Sequence, residues 1–438
     1  MSASNKVAVL GLDGVPYSLL TELFAAGVMP NLAATAGAGS FVPMRTSLPA
    51  VSSVAWTSFM TGKSPGYHGI FGFTDLKGDK ISLRLPSFDD IRQPIIWDMI
   101  PGKATLVVNL PFTYPARPLN GVLISGFVAP VFERSVHPQS LIPWLTSLNY
   151  RIDVDAVRGR QDRRFFIQEL FQTLEIREKA ILHLMDNTPW DLFIGVITGT
   201  DRLHHFFFDA KDDPTHAFYS DFMDYYRRVD AFFGRFLDHT GPLARLIVLS
   251  DHGFTRLKKQ VYLNRILRSL GYLSFSRPGP QSLDDIHPGS QAFAMDPTRI
   301  YLNSNERFRR GILSSSEARE IRAKLKHDLG ALRLSDVGIV EPDGTDSPDD
   351  RLFAEVRCKE EVYEGDLLAL APDLVIIPKP GYDVKAAISA PASVMTDIFT
   401  GMHTHDDAFL ILSDRGSSDK LLNPCITDVA GQILEILG

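Results

Sequence analysis

An α/β fold, with a mostly parallel sheet covered by helices on both faces, is predicted for this 438-residue chain. Short apolar, β-rich runs alternate with segments of helical period, which is the pattern of strands buried on both faces and joined by helical crossovers. Hydrophobic residues make up 45% of the chain against 22% charged, enough for a sizeable core and against wholesale disorder. The length suits one large α/β core with an insertion, or two domains.

The run Val7–Leu12 reads as a buried first strand, followed by a helix from about Tyr17. Further strands are expected at Ala104–Asn109, Val122–Gly126, Asp191–Thr198, Leu246–Ser250, Asp373–Pro378 and Ala408–Ser413. Phe166–Met185 is amphipathic. Ala217–Asp238 repeats apolar residues at spacings of three and four through Phe218, Phe222, Tyr225, Val229, Phe232 and Phe236, a stripe that reads as core-facing helix. Pro, Gly and Ser mark Ser276–Gln291 as a loop, and Glu341–Asp350 reads as another. Between them lie a short strand near Arg299–Leu302 and a helix from Ser316 to about Leu329, with a capping-box pattern that puts Ser315 or Ser316 at the cap. Residues from roughly 255 to 371 therefore read as an insertion, after which the core resumes at Leu374.

Charge and composition narrow the class. Lys+Arg total 45 against 52 Asp+Glu, a formal charge of -7, which argues against a surface that wraps a nucleic-acid polymer. Two cysteines, Cys358 and Cys425, make neither a disulfide framework nor a Cys-rich zinc site and read as free thiols of a reducing compartment. The N-terminal MSASNKVAVLGLDGV lacks the apolar length of a signal peptide, and no stretch reaches the roughly 18 apolar residues of a membrane helix. A cytoplasmic protein without a membrane span is expected.

The expected strands end repeatedly in acidic or imidazole side chains. Asp13 follows VAVLGL, Asp201 with His204 and His205 follows LFIGVITGT, and Asp251 with His252 follows LIVLS. In an open parallel sheet these ends share one rim, where ligands bind. Carboxylate with imidazole and no thiolate suits zinc, manganese or iron. Asp201 and His205 are four apart and fit one helix face, but His204, at three, competes. Val54–Thr61 reads as a short helix ended by Gly62, so Ser52 or Ser53 stands at its N-terminus, either as a plain cap or, near a metal, as a nucleophile. Lys63, in the Gly-Pro-rich turn that follows, is a candidate to bind a phosphoryl oxygen. Near the C-terminus, GMHTH adds His403 and His405.

Together VAVLGLDG, MPNLAATAGAGSF, VSSVAWTSFMTGKSPGYHGIFGF, TGTDRLHHF, VLSDHGF, GMHTH and DVAGQILEIL resemble the alkaline phosphatase superfamily, and within it the type I phosphodiesterase/nucleotide pyrophosphatase family. The AWTSFMTGK and TGTDR strings are most similar to its prokaryotic branch of predicted phosphohydrolases and phosphomutases. The resemblance implies an alkaline-phosphatase-like three-layer sandwich, with residues 1–254 and 372–438 as a bimetal core and 255–371 as an inserted cap that sets specificity. It implies two zinc ions about 4 Å apart, or manganese in their place. Asp13, Asp251 and His252 match the ligands of one ion, which also holds the nucleophile, and that nucleophile falls on Ser52. Asp201, His205 and His403 match the ligands of the second, which resolves His205 over His204 and His403 over His405. A double displacement through a phosphoseryl enzyme is implied, acting on a small-molecule phosphate ester.

One position departs from the family pattern. Where nucleotide pyrophosphatases carry an asparagine after the HGI string, this chain has Phe73, which puts a nucleotide substrate in question. Ser52 is followed by SVAW, without the Pro and Arg of a sulfatase string. A phosphodiesterase or pyrophosphatase is the first reading. A phosphomonoesterase or cofactor-independent phosphomutase is the alternative, with Arg307, Arg309 and Arg310 as clamp candidates against the plainer reading of solvated charge. A non-catalytic binding descendant is the remaining class, against which the seven positions all carry chemically competent side chains.

Overall fold

In the first strand, Lys6–Leu12, the side chains of Ala8, Leu10 and Leu12 join one apolar cluster and those of Val7 and Val9 join another. This is the two-residue alternation of a pleated strand. Both clusters are buried, so the strand lies inside a sheet covered on each face, as its continuous apolar run predicts. The computed structural model describes residues 6–241, 244–340, 350–413 and 423–438.

The eight-stranded sheet runs, in spatial order, Ser40–Met44, Ala408–Leu412, Ala244–Leu249, Lys6–Leu12, Leu192–Ile197, Thr105–Leu110, Gly121–Ser125 and Val136–His137. From Ala244–Leu249 to Gly121–Ser125 every neighbouring pair is parallel. The pairings at the two edges are antiparallel. Helices Tyr17–Ala25, Pro30–Ala38, Arg163–Asn187 and Tyr219–Thr240 pack on one face. Ser52–Thr61 and Asp428–Leu437 pack on the other, completing three layers. The aromatic stripe of Tyr219–Thr240 is buried in the first cluster, as its periodicity predicts. Two edge strands carry no readable signal: Val136–His137 is two residues long, and Ser40–Met44 contains Pro43, which only an edge tolerates well.

Contacts divide the chain into one unit of Met1–Lys63, Ser87–Arg256 and Ile398–Gly438, and a second of Ser64–Pro86 and Leu257–Asp397. The second unit thus differs from the expected 255–371 by taking in Ser64–Pro86 and the residues from 372 to 397. The strand expected to return the chain to the main sheet, Leu374–Pro378, belongs instead to a four-stranded sheet of the second unit, between Arg299–Leu302 and Phe353–Cys358. A short apolar run says that a strand is buried but not which sheet buries it. The helix Ser315–Ala331 of this unit is capped one residue earlier than expected, by Ser314, whose hydroxyl accepts from the Glu317 amide in a capping box. Among the described residues no single helix is long and apolar enough to cross a membrane.

Candidate metal centre

Register in the main sheet brings three strand ends level. Leu12 pairs with Ile197 and Gly11 with Leu249, so Asp13, the helix Gly199–Phe207 and Asp251 leave the sheet at one carboxyl edge, where open α/β sheets bind ligands. The Asp13 amide donates to the Ile197 carbonyl at 3.1 Å, and Thr200 Oγ1 donates to the Asp13 carbonyl at 2.6 Å. These bonds tie the end of the first strand to the next helix. Gly14 then turns with φ +66°, where a Cβ would lie 3.1 Å from the Phe254 ring and 3.2 Å from His252. Both the left-handed backbone and the lack of room require glycine. Its amide donates to Asp251 Oδ1 at 3.0 Å.

The sequence candidates fall into two sets. Ligand atoms of Asp13, Asp251 and His252 lie within 4.8 Å of one another, and so do those of Asp201, His205 and His403. His205 follows Asp201 by one helical turn. His403 arrives from the strand Gly401–Thr404, which pairs antiparallel with Gly253–Arg256 so that His403 stands opposite Phe254. Its Nε2 is 3.2 Å from Asp201 Oδ1 and 3.0 Å from His205 Nε2. Ser52 opens the helix Ser52–Thr61, and its Oγ lies 3.3 Å from Asp13 Oδ1 and 3.3 Å from His252 Nε2. No side chain caps this helix start, and the positive end of its dipole favours an anion beside it.

The rival residues stand apart. His204 is buried with Nε2 2.6 Å from the Tyr226 hydroxyl and Nδ1 2.9 Å from the Gly14 carbonyl. Ser53 Oγ is buried without a hydrogen bond and belongs to neither set. His405 lies 3.9 Å from Asp406. Lys63 is exposed beyond Gly62, at the far end of the helix that Ser52 opens. The helix that begins at Ser52 is ten residues long, roughly 15 Å along the axis, so the structure does not bring Lys63 to the serine. Phe73 lies in the second unit.

Side chains that the sequence did not single out complete the frame. Trp56, one turn after Ser52, donates Nε1–H to Asp13 Oδ2 at 3.1 Å. Its only sequence signal is the i+4 spacing within VSSVAW. Arg202, inside TGTDRLHH, donates to Asp201 Oδ2 at 3.2 Å.

Electrostatics show what the sets are suited to hold. Burial, reinforced by the charges of Asp251 and Asp201, pushes Asp13 well above the usual carboxylate range. Burial pushes Asp251 up to about 7 and His252 down to about 3. Burial also opposes the charge of Asp201, but His205, His403 and Arg202 outweigh it and hold this carboxyl well below its ordinary value. Asp201 Oδ1 and Asp251 Oδ2 are buried without hydrogen bonds, an arrangement that native interiors avoid unless something else compensates. The facing Nε2 atoms of His205 and His403, and three buried carboxylates, form donor sets that fit divalent cations of the zinc class.

The family model of type I phosphodiesterase/nucleotide pyrophosphatase matches residues 7–406. No curated protein matches. Similar solved structures include the phosphonoacetate hydrolase of Sinorhizobium meliloti 1021 in complex with phosphonoformate, with a TM-score of 0.65 at 16% identity, covering 100% of this chain and 97% of that one. Murine ectonucleotide pyrophosphatase/phosphodiesterase 5, as an inactive variant in complex with AMP, gives 0.57 at 14% identity, covering 99% and 94%. The human protein of that name gives 0.54 at 13%, with the same coverage. At these identities the likeness to solved structures is one of fold. The match over nearly the whole length places this chain in the type I phosphodiesterase/nucleotide pyrophosphatase family of the alkaline phosphatase superfamily, a family of hydrolases that act on phosphoester bonds.

Proposed function

We propose that this protein is a metal-dependent phosphodiesterase or pyrophosphatase that works through a phosphoserine at Ser52. The observation that carries the reading is the placement of Ser52 Oγ, 3.3 Å from both Asp13 Oδ1 and His252 Nε2, at a helix start beside two sets of carboxylate and imidazole groups. Asp13, Asp251 and His252, with Ser52, would hold one zinc ion, and Asp201, His205 and His403 a second; manganese suits the same donors. Bound there, the ions supply Lewis acidity, which lowers the hydroxyl pKa and offsets charge on the phosphoryl oxygens in the transition state.

The chain's own groups account for the rest. Ser52 Oγ forms the bond to phosphorus as the bond to the leaving oxygen breaks, and the hydroxyl proton, now shared with Asp13 Oδ1 at 3.3 Å, passes to solvent and ends on the departing oxygen. The backbone amides at the start of Ser52–Thr61 face the phosphoryl group with the positive end of the helix dipole. A water then attacks phosphorus from the side the leaving group vacated, and Ser52 regains its proton. His252 and His403 keep their Nε2 lone pairs turned inward because each Nδ1 lies against a carbonyl, Gly253 O at 3.1 Å and Ala50 O at 2.9 Å, which can only accept.

The mutase alternative loses one of its supports. Arg307 donates to the carbonyls of Ala369, Leu370 and Ala371 and lies over the Tyr301 ring, so it braces a loop, while Arg309 and Arg310 are exposed. The two free cysteines fit the reducing interior of a cell, and we take the cytoplasm as the site of action. Phosphonate compounds and AMP, the ligands seen with similar folds, define the substrate class to search: small phosphoryl compounds. The deciding experiment compares bis(p-nitrophenyl) phosphate with p-nitrophenyl phosphate on zinc-replete protein. Faster turnover of the diester, abolished by EDTA, is expected. Strong preference for the monoester overturns the diesterase assignment, and undiminished turnover after EDTA overturns the metal assignment.

A further inference from the structure

The three carboxylates of the two sets are held by one scheme. Trp56 Nε1–H holds Asp13 Oδ2 and leaves Oδ1 to face Ser52. The Gly14 amide holds Asp251 Oδ1, and the buried Oδ2 is left without a hydrogen bond. Asp201 follows suit: Oδ2 accepts from Arg202 Nη1 at 3.2 Å, while Oδ1, also without a hydrogen bond, faces His403 Nε2 at 3.2 Å and His205 Nε2 at 3.5 Å. The first two holders are neutral. The third is a cation placed beside a site that suits another cation, which on Coulombic grounds alone weakens binding there.

Asp153 resolves that conflict. It accepts from Arg202 Nε at 3.2 Å on both oxygens and from Nη2 at 2.6 Å. The guanidinium is thereby neutralised by a fork of the kind arginine makes and lysine does not. The Phe127 ring lies 4.5 Å from the guanidinium carbon, and the Arg202 side chain keeps only 17% of its exposure. The arginine is therefore oriented from several sides, with one arm left for Asp201. A carboxylate torsion is broad and two-fold when nothing holds it. Neighbouring holders of this type tune affinity at metal sites.

We infer that Arg202, neutralised and oriented by Asp153, is a positioning residue that fixes the Asp201 carboxylate with Oδ1 toward His205 and His403, and so sets the metal affinity of that set and not of the other. The inference rests on the two-ion reading proposed above. An ion pair that merely fastened the helix Gly199–Phe207 to the segment before Arg163–Asn187 would affect stability without selecting one ion.

The test is calorimetric titration of the metal-stripped full-length protein with zinc, alongside metal content after dialysis. Wild type is expected to bind two ions. Arg202→Met is expected to weaken one of them by about 10–100-fold and leave the other unchanged, with Arg202→Lys intermediate because it restores the charge without the fork. In an Asp201→Asn background, Arg202→Met is expected to change zinc affinity no further, the signature of action through Asp201. Asp153→Asn, which leaves the arginine in place but uncompensated, is expected to weaken the same ion. Two ions bound as tightly by Arg202→Met as by wild type, or both weakened equally, or a further loss in the Asp201→Asn background, would overturn the inference while leaving the two-ion reading intact. A wild-type protein that binds fewer than two ions would overturn both.

Discussion

The imidazole rings of His252 and His403 stack with centroids 3.8 Å apart at 23°. They come from different ligand sets, so the sets share a wall. His403 also reaches the Ala50 carbonyl through Nδ1, two residues before Ser52. The serine, the first set and the second set are therefore parts of one packed assembly.

Ser52→Ala removes the hydroxyl and none of the other donors. It is expected to lower kcat by at least about 10³-fold, the scale on which loss of a nucleophile is felt, while both ions stay bound. Acid-quenched wild-type enzyme should carry a phosphoryl mass shift that the variant lacks. Full activity in the variant would refute the covalent route.

Zinc affinity is expected to climb with pH. In the metal-free protein Asp251 is raised to about 7 and Asp13 is raised as well, both chiefly by burial. A carboxyl raised above its unfolded value of about 4 stabilises the fold most below that pH and loses its contribution as pH rises through the folded value. Asp201, held low by His205, His403 and Arg202 against the effect of burial, runs the opposite way, and its contribution is lost only as pH falls well below the ordinary carboxylate range. A cation needs the ionised forms, so binding must expel the protons of the raised pair. Calorimetry at about pH 6 in buffers of different ionisation enthalpy should show proton release, shrinking above about pH 8. Binding without proton release would contradict the buried pair.

Trp56→Phe keeps most of a buried ring but deletes the N–H that holds Asp13 Oδ2. About tenfold weaker binding of one zinc ion is expected, with the ion of the Asp201 set unaffected. The two stepwise affinities from one titration check this directly.

Gly11→Ala tests the packing behind the site. A Cβ at Gly11 would stand 2.4 Å from the Trp56 ring and 3.1 Å from Val196, in a region with no exposed atoms to yield. Overpacking of this kind costs about 1–3 kcal/mol, to be read from urea denaturation midpoints at constant m-value.

Much of this architecture is written locally. The alternation in Lys6–Leu12, the stripe in Tyr219–Thr240 and the acids after each apolar run are short-range patterns, and they announce strands, a core helix and a rim of acids and imidazoles without any tertiary knowledge. The edge strand Ser40–Met44 is not announced, because an edge buries one face at most and tolerates Pro43. The assignment of Leu374–Pro378 was also beyond local pattern, since a buried strand looks the same in either sheet.

At the site the division is sharper. Residue types and order along the chain were enough to name carboxylate and imidazole chemistry at the ends of parallel strands, because side-chain chemistry and strand period are local properties. Which of two adjacent histidines turns inward depends on partners far along the chain: His204 is engaged by Tyr226 and the Gly14 carbonyl, while His205 meets His403. The same holds for Trp56 and Gly14, each of which holds the outer oxygen of a carboxylate distant in sequence, and for Arg202, which holds its neighbour Asp201 from an orientation set by the distant Asp153. Orientation is set by contacts between segments that only folding brings together, and a linear pattern carries no record of them.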